Sequence, residues 1–291
     1  MLSILIPIYN YKVVKLVKTL KKQCDKAQII YEILCFDDGS QPKIKYENSI
    51  LGSFFGINYT ELSENLGRAR IRNWLAKSAA FDNLLFLDCD SKIIKKDFIA
   101  TYLEYINDYE VISGGRVYSP KAPRAMSKKL HWLYGTKRES KKAKYRNKNA
   151  IVFFHSNNFL VKRDLVIKYQ FDEAVEGYGY EDLLWAKYLY NKGVAIKHID
   201  NELEHLGLEK KEVFLKKAKK AIQNLRVINK PGVVIQTRLM TFQDNLKKYK
   251  IERLVKSYCR KNKVKIEQNL LSENPSIYYL DLYKYICYND L

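Results

Sequence analysis

"LLFLDCDSKI", residues 84–93, runs four apolar side chains directly into two carboxylates, Asp88 and Asp90. An unbroken run such as Leu84-Leu85-Phe86-Leu87 suits a strand buried on both faces. In an open α/β sheet the ligand crevice lies beyond the carboxyl ends of such strands. Two acids one residue apart point to the same side of an extended chain. Like charges held that close repel unless something positive sits beside them. The pair therefore reads as a metal site, an acid/base pair or a polar strand end.

The flanking sequence repeats the pattern. "LSILIPIYN" (2–10) predicts a strand, and "YKVVKLVKTLKKQC" (11–24) a helix with Val13, Val14, Leu16, Val17 and Leu20 at helical spacing. "YEILCFDDGS" (31–40) is a strand ending in Asp37-Asp38-Gly39-Ser40, "INYTEL" (57–62) a strand, and "RARIRNWLAKSA" (68–79) a helix. After "NLLFLDCDS" (83–91) comes a helix in "KDFIATYLEYIN" (96–107). Alternating strands and helices predict an α/β fold with a mixed, mostly parallel sheet flanked by helices. Parallel crossovers are right-handed, so the strands' carboxyl ends share one edge. That edge collects Asp37, Asp38, Asp88 and Asp90.

Further on, "EVISGGRVY" (110–118) reads as a strand with a glycine break, and "AIVFFHSNNFLVKR" (150–163) as strand, polar turn and strand. "FDEAVEGYGYEDLLWAKYLYNKG" (171–193) is a Gly-rich loop opening a helix, with Glu181 and Asp182 in its first turn, where negative charge is favoured. "VAIKHIDNELEHLG" (194–207) reads as one last strand ending near His205. The organisation expected is a first half at 1–115, a second half at 116–208 with a basic segment at 121–149 read as a mobile loop or a loop with a short helix, and a basic helical tail at 209–291.

The 291 residues carry a formal charge of +20. The segment 121–149 alone holds eleven Lys or Arg and one acid, Glu139. The five cysteines, Cys24, Cys35, Cys89, Cys259 and Cys287, are odd in number and without metal-type spacing, which predicts reduced thiols. "MLSILIPIYN" lacks a basic leader and is interrupted by Pro7. No stretch reaches the roughly 18 apolar residues of a membrane span. A cytoplasmic protein is expected, peripheral at the inner membrane face if the amphipathic 209–227 lies on an anionic surface. A nucleic-acid-binding module is the alternative raised by the charge. It is disfavoured because the acidic crevice repels phosphates unless metal fills it, so no nucleic-acid partner is expected. A sugar nucleotidyltransferase needs a Gly-rich N-terminal loop, and "PIYNYKVVK" (7–15) has no glycine.

Six motifs in order, "SILIPIYN", "CFDDGS", "NLGRARIRN", "LFLDCDS", "SNNFLVKRD" and "FDEAVEGYGYEDLLW", resemble the family 2 glycosyltransferases of the GT-A (Rossmann-like) fold. The last motif and "HIDNELEHLG" resemble the chondroitin-polymerase and β-1,4-galactosyltransferase-like branch. The resemblance spans about residues 1–208, implies a nucleotide-sugar-binding half at 1–115 and an acceptor-binding half at 116–208, and leaves the tail without a counterpart. It implies an inverting hexosyl- or N-acetylhexosaminyltransferase that moves sugar from a UDP-sugar donor to a glycan or lipid-linked acceptor, in bacterial surface polysaccharide synthesis.

The resemblance assigns roles residue by residue. In the DXD motif Asp90 is the metal ligand and Asp88 its support or second ligand, with His205 the third ligand. His198 is a weaker rival, and His155 a candidate to line the cleft. Oxygen ligands suit Mg2+ or Mn2+, and an imidazole favours Mn2+. Asp38 matches the position that accepts the uracil N–H, with Asp37 assisting. Pro7, Tyr9 and Asn10 flank the base, and Arg68 meets the diphosphate at a helix start. Asp182 is the catalytic base and Glu181 holds a sugar. Gly177 and Gly179 let backbone approach a ligand. Tyr178 and Tyr180 stand where many relatives have Trp or Phe, which bears on sugar selection. Cys35 replaces a small or β-branched residue, a packing change.

Overall fold

The computed structural model describes residues 1–174, 179–228 and 236–291. Ten strands are present among these residues: β1 (Leu2–Ile8), β2 (Tyr31–Asp37), β3 (Ile57–Glu61), β4 (Asn83–Leu87), β5 (Ser91–Ile93), β6 (Val111–Ser113), β7 (Arg116–Val117), β8 (Asn158–Lys162), β9 (Ile196–His198) and β10 (Leu203–His205). Seven form one sheet in the order β3-β2-β1-β4-β8-β6-β9, and three a small sheet in the order β5-β10-β7. In the large sheet only β8 runs against its neighbours, β4 and β6. The expected mostly parallel α/β sheet is what forms.

Period-two alternation sorts the strand residues onto two cores. Ile4, Ile6, Ile33, Leu85 and Leu87 face one side, where the helices Val14–Lys26 and Phe98–Leu103 supply Val17, Leu20, Phe98 and Tyr102. Leu5, Leu34, Leu84, Phe86 and Phe159 face the other, covered by Ile71 and Leu75 of the helix Arg68–Ser78 and Trp185 and Leu189 of the helix Glu181–Asn191. Burial on both faces is why these strands read as continuous apolar runs rather than alternating ones.

Several expectations need correction. Residues 151–153 form turns, so "AIVFF" is no strand, and β8 is followed directly by the helix Arg163–Lys168. "VAIKHIDNELEHLG" is two strands in two sheets, β9 pairing with β6 and β10 with β5 and β7. The basic stretch follows the helical alternative, with several short turns rather than one. Helical turns occupy Met126–Lys128, Lys129–Tyr134, Gly135–Glu139, Ala143–Arg146 and Asn147–Asn149. Its order comes from buried anchors that a charge count hides. Leu130 is fully buried and Trp132 Nε1 donates to Ser119 O at 2.8 Å.

Arg146 is the strongest of these anchors. It is 2% exposed and donates to Lys141 O, Ser113 O, Gly114 O and Ile199 O at 2.6–3.2 Å. A buried guanidinium is tolerable here because these carbonyl dipoles satisfy its fork of donors, with the Glu202 and Asp200 charges acting in the same sense.

By compactness the chain divides into two units. One contains Met1–Tyr118 and most of 140–207, and the other contains 119–139 and 208–291. In the second unit the helix Lys211–Ile228 turns Phe214, Leu215, Ala218, Ile222 and Leu225 inward. The helices Arg238–Lys248, Glu252–Leu270 and Ile277–Asn289 complete that unit. No helix among the described residues is long and apolar enough to cross a membrane. All five cysteines are unbridged.

Candidate functional site

β1, β2 and β4 lie side by side and parallel, so Tyr9, Asp38 and Asp88 follow three strand ends on one edge. The small sheet completes the edge. β5 begins directly after Asp90, and its antiparallel register with β10 sets His205 opposite Ser91. His205 Nδ1 thereby comes within 3.3 Å of Asp90 Oδ1, and Leu206 N donates to Asp90 O at 2.8 Å. The Tyr118 ring meets the His205 ring edge-on, with centroids 5.3 Å apart. Burial works to raise the Asp90 carboxyl, but His205, Arg116 and Arg68 outweigh it and bring it down to about 2. An ionised carboxylate facing an imidazole is a donor set suited to a divalent cation.

Gly207 keeps that donor set open. A Cβ there would lie 2.0 Å from Asp90 Oδ2 and 3.0 Å from His205 Cε1.

Asp88 does not join this pair. Arg72 Nη2 donates to its Oδ1 at 2.9 Å, and Arg116 Nη2 stands 3.7 Å from its Oδ2. Among the described residues no three His, Cys, Asp or Glu side chains converge on a metal-sized point. Of the expected trio the structure brings Asp90 and His205 together, while two guanidiniums hold Asp88. Arg72, for which the sequence offered no role, is 2% exposed. It lies one turn beyond Arg68 on the same helix face, the signal that would have found it. Arg116 had no local signal, because its place depends on β7 pairing with β10.

Asp37 and Asp38 are also occupied. Asp37 is fully buried, and its Oδ1 accepts from Ser40 N at 2.7 Å and its Oδ2 from Tyr59 Oη at 3.2 Å. Asp38 is 4% exposed and accepts from Leu66 N at 2.6 Å and Gly67 N at 3.2 Å. Burial raises its carboxyl and those two N–H groups pull it part of the way back. Asp38 thus anchors the turn at Leu66 and Gly67. Pro7 is the penultimate residue of β1. Tyr9 is exposed beyond the strand, and Asn10, at φ 51°, ties the turn to Ser40 and Gln41.

On the other flank, the helix Glu181–Asn191 starts with the acid pair. Glu181 is 6% exposed and pairs with Arg68 Nη1 at 3.5 Å. Asp182 Oδ2 faces His155 Nδ1 at 3.8 Å and accepts from Ser156 N at 3.4 Å. Burial would raise the Asp182 carboxyl. His155, the Leu183 N–H and the Arg72 charge together hold it below the ordinary carboxylate range. The segment 155–157 links the two flanks, since Asn157 O accepts from Asp88 N at 3.0 Å. His198 is buried elsewhere, with Nδ1 2.7 Å from Arg146 Nη1 and Nε2 2.9 Å from Ala150 O. Those contacts make it a neutral structural histidine. Gly177 and Tyr178 lie outside the described residues. Gly179, at φ 103°, takes a conformation that favours glycine.

A mostly parallel sheet covered on both faces, with acids at adjacent strand ends and a second acid pair opening a helix, is the layout of a GT-A glycosyltransferase domain. The chain belongs to glycosyl transferase family 2, whose sequence profile matches residues 3–170. No curated protein matches it in sequence. Among solved structures it is similar to a Pyrobaculum calidifontis mannosyltransferase in complex with GDP-Man and Mn2+, with a TM-score of 0.57 at 15% identity, covering 78% of this chain and 63% of that one. It is also similar to residues 1–349 of S. aureus TarS, with a TM-score of 0.51 at 17% identity, covering 77% and 65%. The same fragment in complex with UDP gives 0.50 at 18% identity, covering 77% and 65%. At these identities the likeness is one of fold. The match spans less than two thirds of each of these neighbours.

Proposed function

We propose that the protein is an inverting glycosyltransferase that moves a sugar from a UDP-sugar to the hydroxyl of a glycan or lipid-linked acceptor, in bacterial surface polysaccharide synthesis. The observation that carries this reading is the pairing of two chemically distinct acid sites on one sheet edge. Asp90 lies against an imidazole, and Asp182 opens a helix beside His155.

Asp90 and His205 are the residues that would hold Mn2+ or Mg2+. A bound cation there would neutralise charge on a diphosphate leaving group. Arg68, half exposed at the first turn of its helix, adds a cation beside the helix N–H groups and keeps Glu181 fixed. Glu181 in turn fixes where Arg68 reaches. Arg72 and Arg116 hold Asp88 and supply positive charge to Asp90 and Asp182.

Asp182 accepts the proton of the acceptor hydroxyl as that oxygen attacks the anomeric carbon from the face opposite the leaving group. The transition state carries oxocarbenium character. The Asp182 carboxyl is ionised at neutral pH, the form that can accept this proton. Calorimetric titration with UDP, in Mn2+ and then in EDTA, on the wild type and Asp90→Ala tests the donor half. Binding that needs both Mn2+ and Asp90 supports it. UDP binding indifferent to both, or none in any metal, overturns it.

A further inference from the structure

The second unit carries a surface that the glycosyltransferase chemistry does not use. Between residues 247 and 265 there are nine Lys or Arg and one acid, Glu252. Glu252 is taken by Lys256, one turn along, at 2.7 Å. The helix Glu252–Leu270 buries only a narrow stripe, Cys259, Ile266 and Leu270. Its outer side is not simply polar. Leu254 is 71% exposed and Val264 65%, and Tyr249, just before the helix, is 66% exposed. Leu254, Tyr258, Lys261 and Lys265 are spaced i, i+4, i+7 and i+11, which stacks two apolar side chains and two cations on one face.

We propose that this face docks on an anionic phospholipid surface. Three physical facts support it together. Exposed leucine, valine and tyrosine are unfavourable in water and favourable at the boundary between headgroups and acyl chains. Lysine and arginine bury their stems along such a surface while their charged ends reach phosphates. A density of nine cations to one acid is complementary to a leaflet of anionic headgroups and to no neutral surface. The helix Lys211–Ile228, the segment that sequence alone offered for this task, is less suited. Its apolar stripe packs inside its own unit. The docking face is therefore one helix hairpin later in the chain. This inference does not depend on the donor, the metal or the catalytic base.

The test is flotation of the full-length protein with vesicles of pure phosphatidylcholine and of phosphatidylcholine with about one third phosphatidylglycerol, at low and physiological salt. The expected result is binding to the anionic vesicles alone, weakened by salt because the interaction is screened. Lys261→Glu with Lys265→Glu should reduce affinity at least tenfold, since each cation near the surface contributes severalfold. Leu254→Ser with Tyr258→Ser keeps every charge and should lose the binding that survives physiological salt. All four positions are on the outer face, so circular dichroism should show an unchanged helix content. Three outcomes overturn the proposal: no binding to anionic vesicles at low salt, binding by both double variants equal to that of the wild type, or tighter binding to a single-stranded oligonucleotide than to the vesicles. The last would assign the face to nucleic acid.

Discussion

Gly207→Ala isolates the Asp90–His205 pair without touching either residue. The added Cβ would sit 2.0 Å from Asp90 Oδ2 and 2.9 Å from its Cγ. Carbon and oxygen approach to about 3.3 Å at closest in ordinary packing, so the carboxylate oxygen must retreat by roughly 1.3 Å. Asp90 has only two side-chain torsions, and its backbone carbonyl is held by Leu206 N. Retreat therefore means rotating away from His205. The backbone itself is not strained, because Gly207 is absent from the glycines with positive φ. The atom that yields is the end of a side chain, so the fold should tolerate the change. The expected loss is about 10–100-fold in Mn2+ affinity, the usual result of disturbing the surroundings of a metal ligand, or roughly 1.4–2.7 kcal/mol. Electron paramagnetic resonance titration of Mn2+ in the presence of UDP measures it, and thermal melting checks the fold. Asp90→Asn serves as the steric-free control. If Gly207→Ala binds Mn2+ as the wild type does while Asp90→Asn does not, the steric argument is wrong. If both bind normally, the pair is not the metal site.

Asp182→Asn should lower sugar transfer by about 10²–10⁴-fold, the usual weight of a general base, and leave UDP affinity unchanged. Because the Asp182 carboxyl is depressed, wild-type turnover should stay flat through neutral pH and fall only as acid reaches the low end of the carboxylate range; a fall beginning above pH 6 would contradict the assignment. Arg146→Met should lower the melting temperature, since it removes charged hydrogen bonds to the Ser113, Gly114 and Ile199 carbonyls, which keep only their backbone N–H partners, at about 1.5–3 kcal/mol for a hydrogen bond to a charged group; denaturant unfolding that moves by less than about 1 kcal/mol would refute it. His198 is depressed to about 4 from 6.5, burial being the main cause. The unfolded chain then binds this proton first, so stability should decline as pH falls from about 6.5 toward 4, by about 3 kcal/mol in all; His198→Gln should flatten that slope in urea titrations at stepped pH.

What could be read from the sequence and what could not divide along one physical line. Strand ends and helix starts are local. Apolar runs closed by acids placed Asp37, Asp38, Asp88 and Asp90 on one edge, and a carboxylate pair before an amphipathic stretch placed Asp182 at a helix start. Partner choice is not local. Asp88 and Asp90 look equivalent in "LDCD", yet one turns to Arg72 and Arg116 and the other to His205. That split depends on β10 pairing antiparallel to β5 and parallel to β7, a register formed by segments more than 80 residues apart. The histidines show the same limit. His198 and His205 sit in one stretch of apolar and charged residues, and only the break between β9 and β10 sends one to a buried arginine and the other to the carboxylate. Composition misleads where burial and charge conflict. Eleven basic residues made 121–149 look like a solvated loop, although Arg146 is among the most completely buried large side chains of the chain. A cation goes inward when carbonyls converge to satisfy it, and those carbonyls come from Ser113, Gly114 and Ile199 on distant strands and turns. Gly115 makes the converse point. A Cβ there would lie 2.7 Å from the Arg146 guanidinium carbon, so the glycine break in "EVISGGRVY" is the space that lets this arginine in.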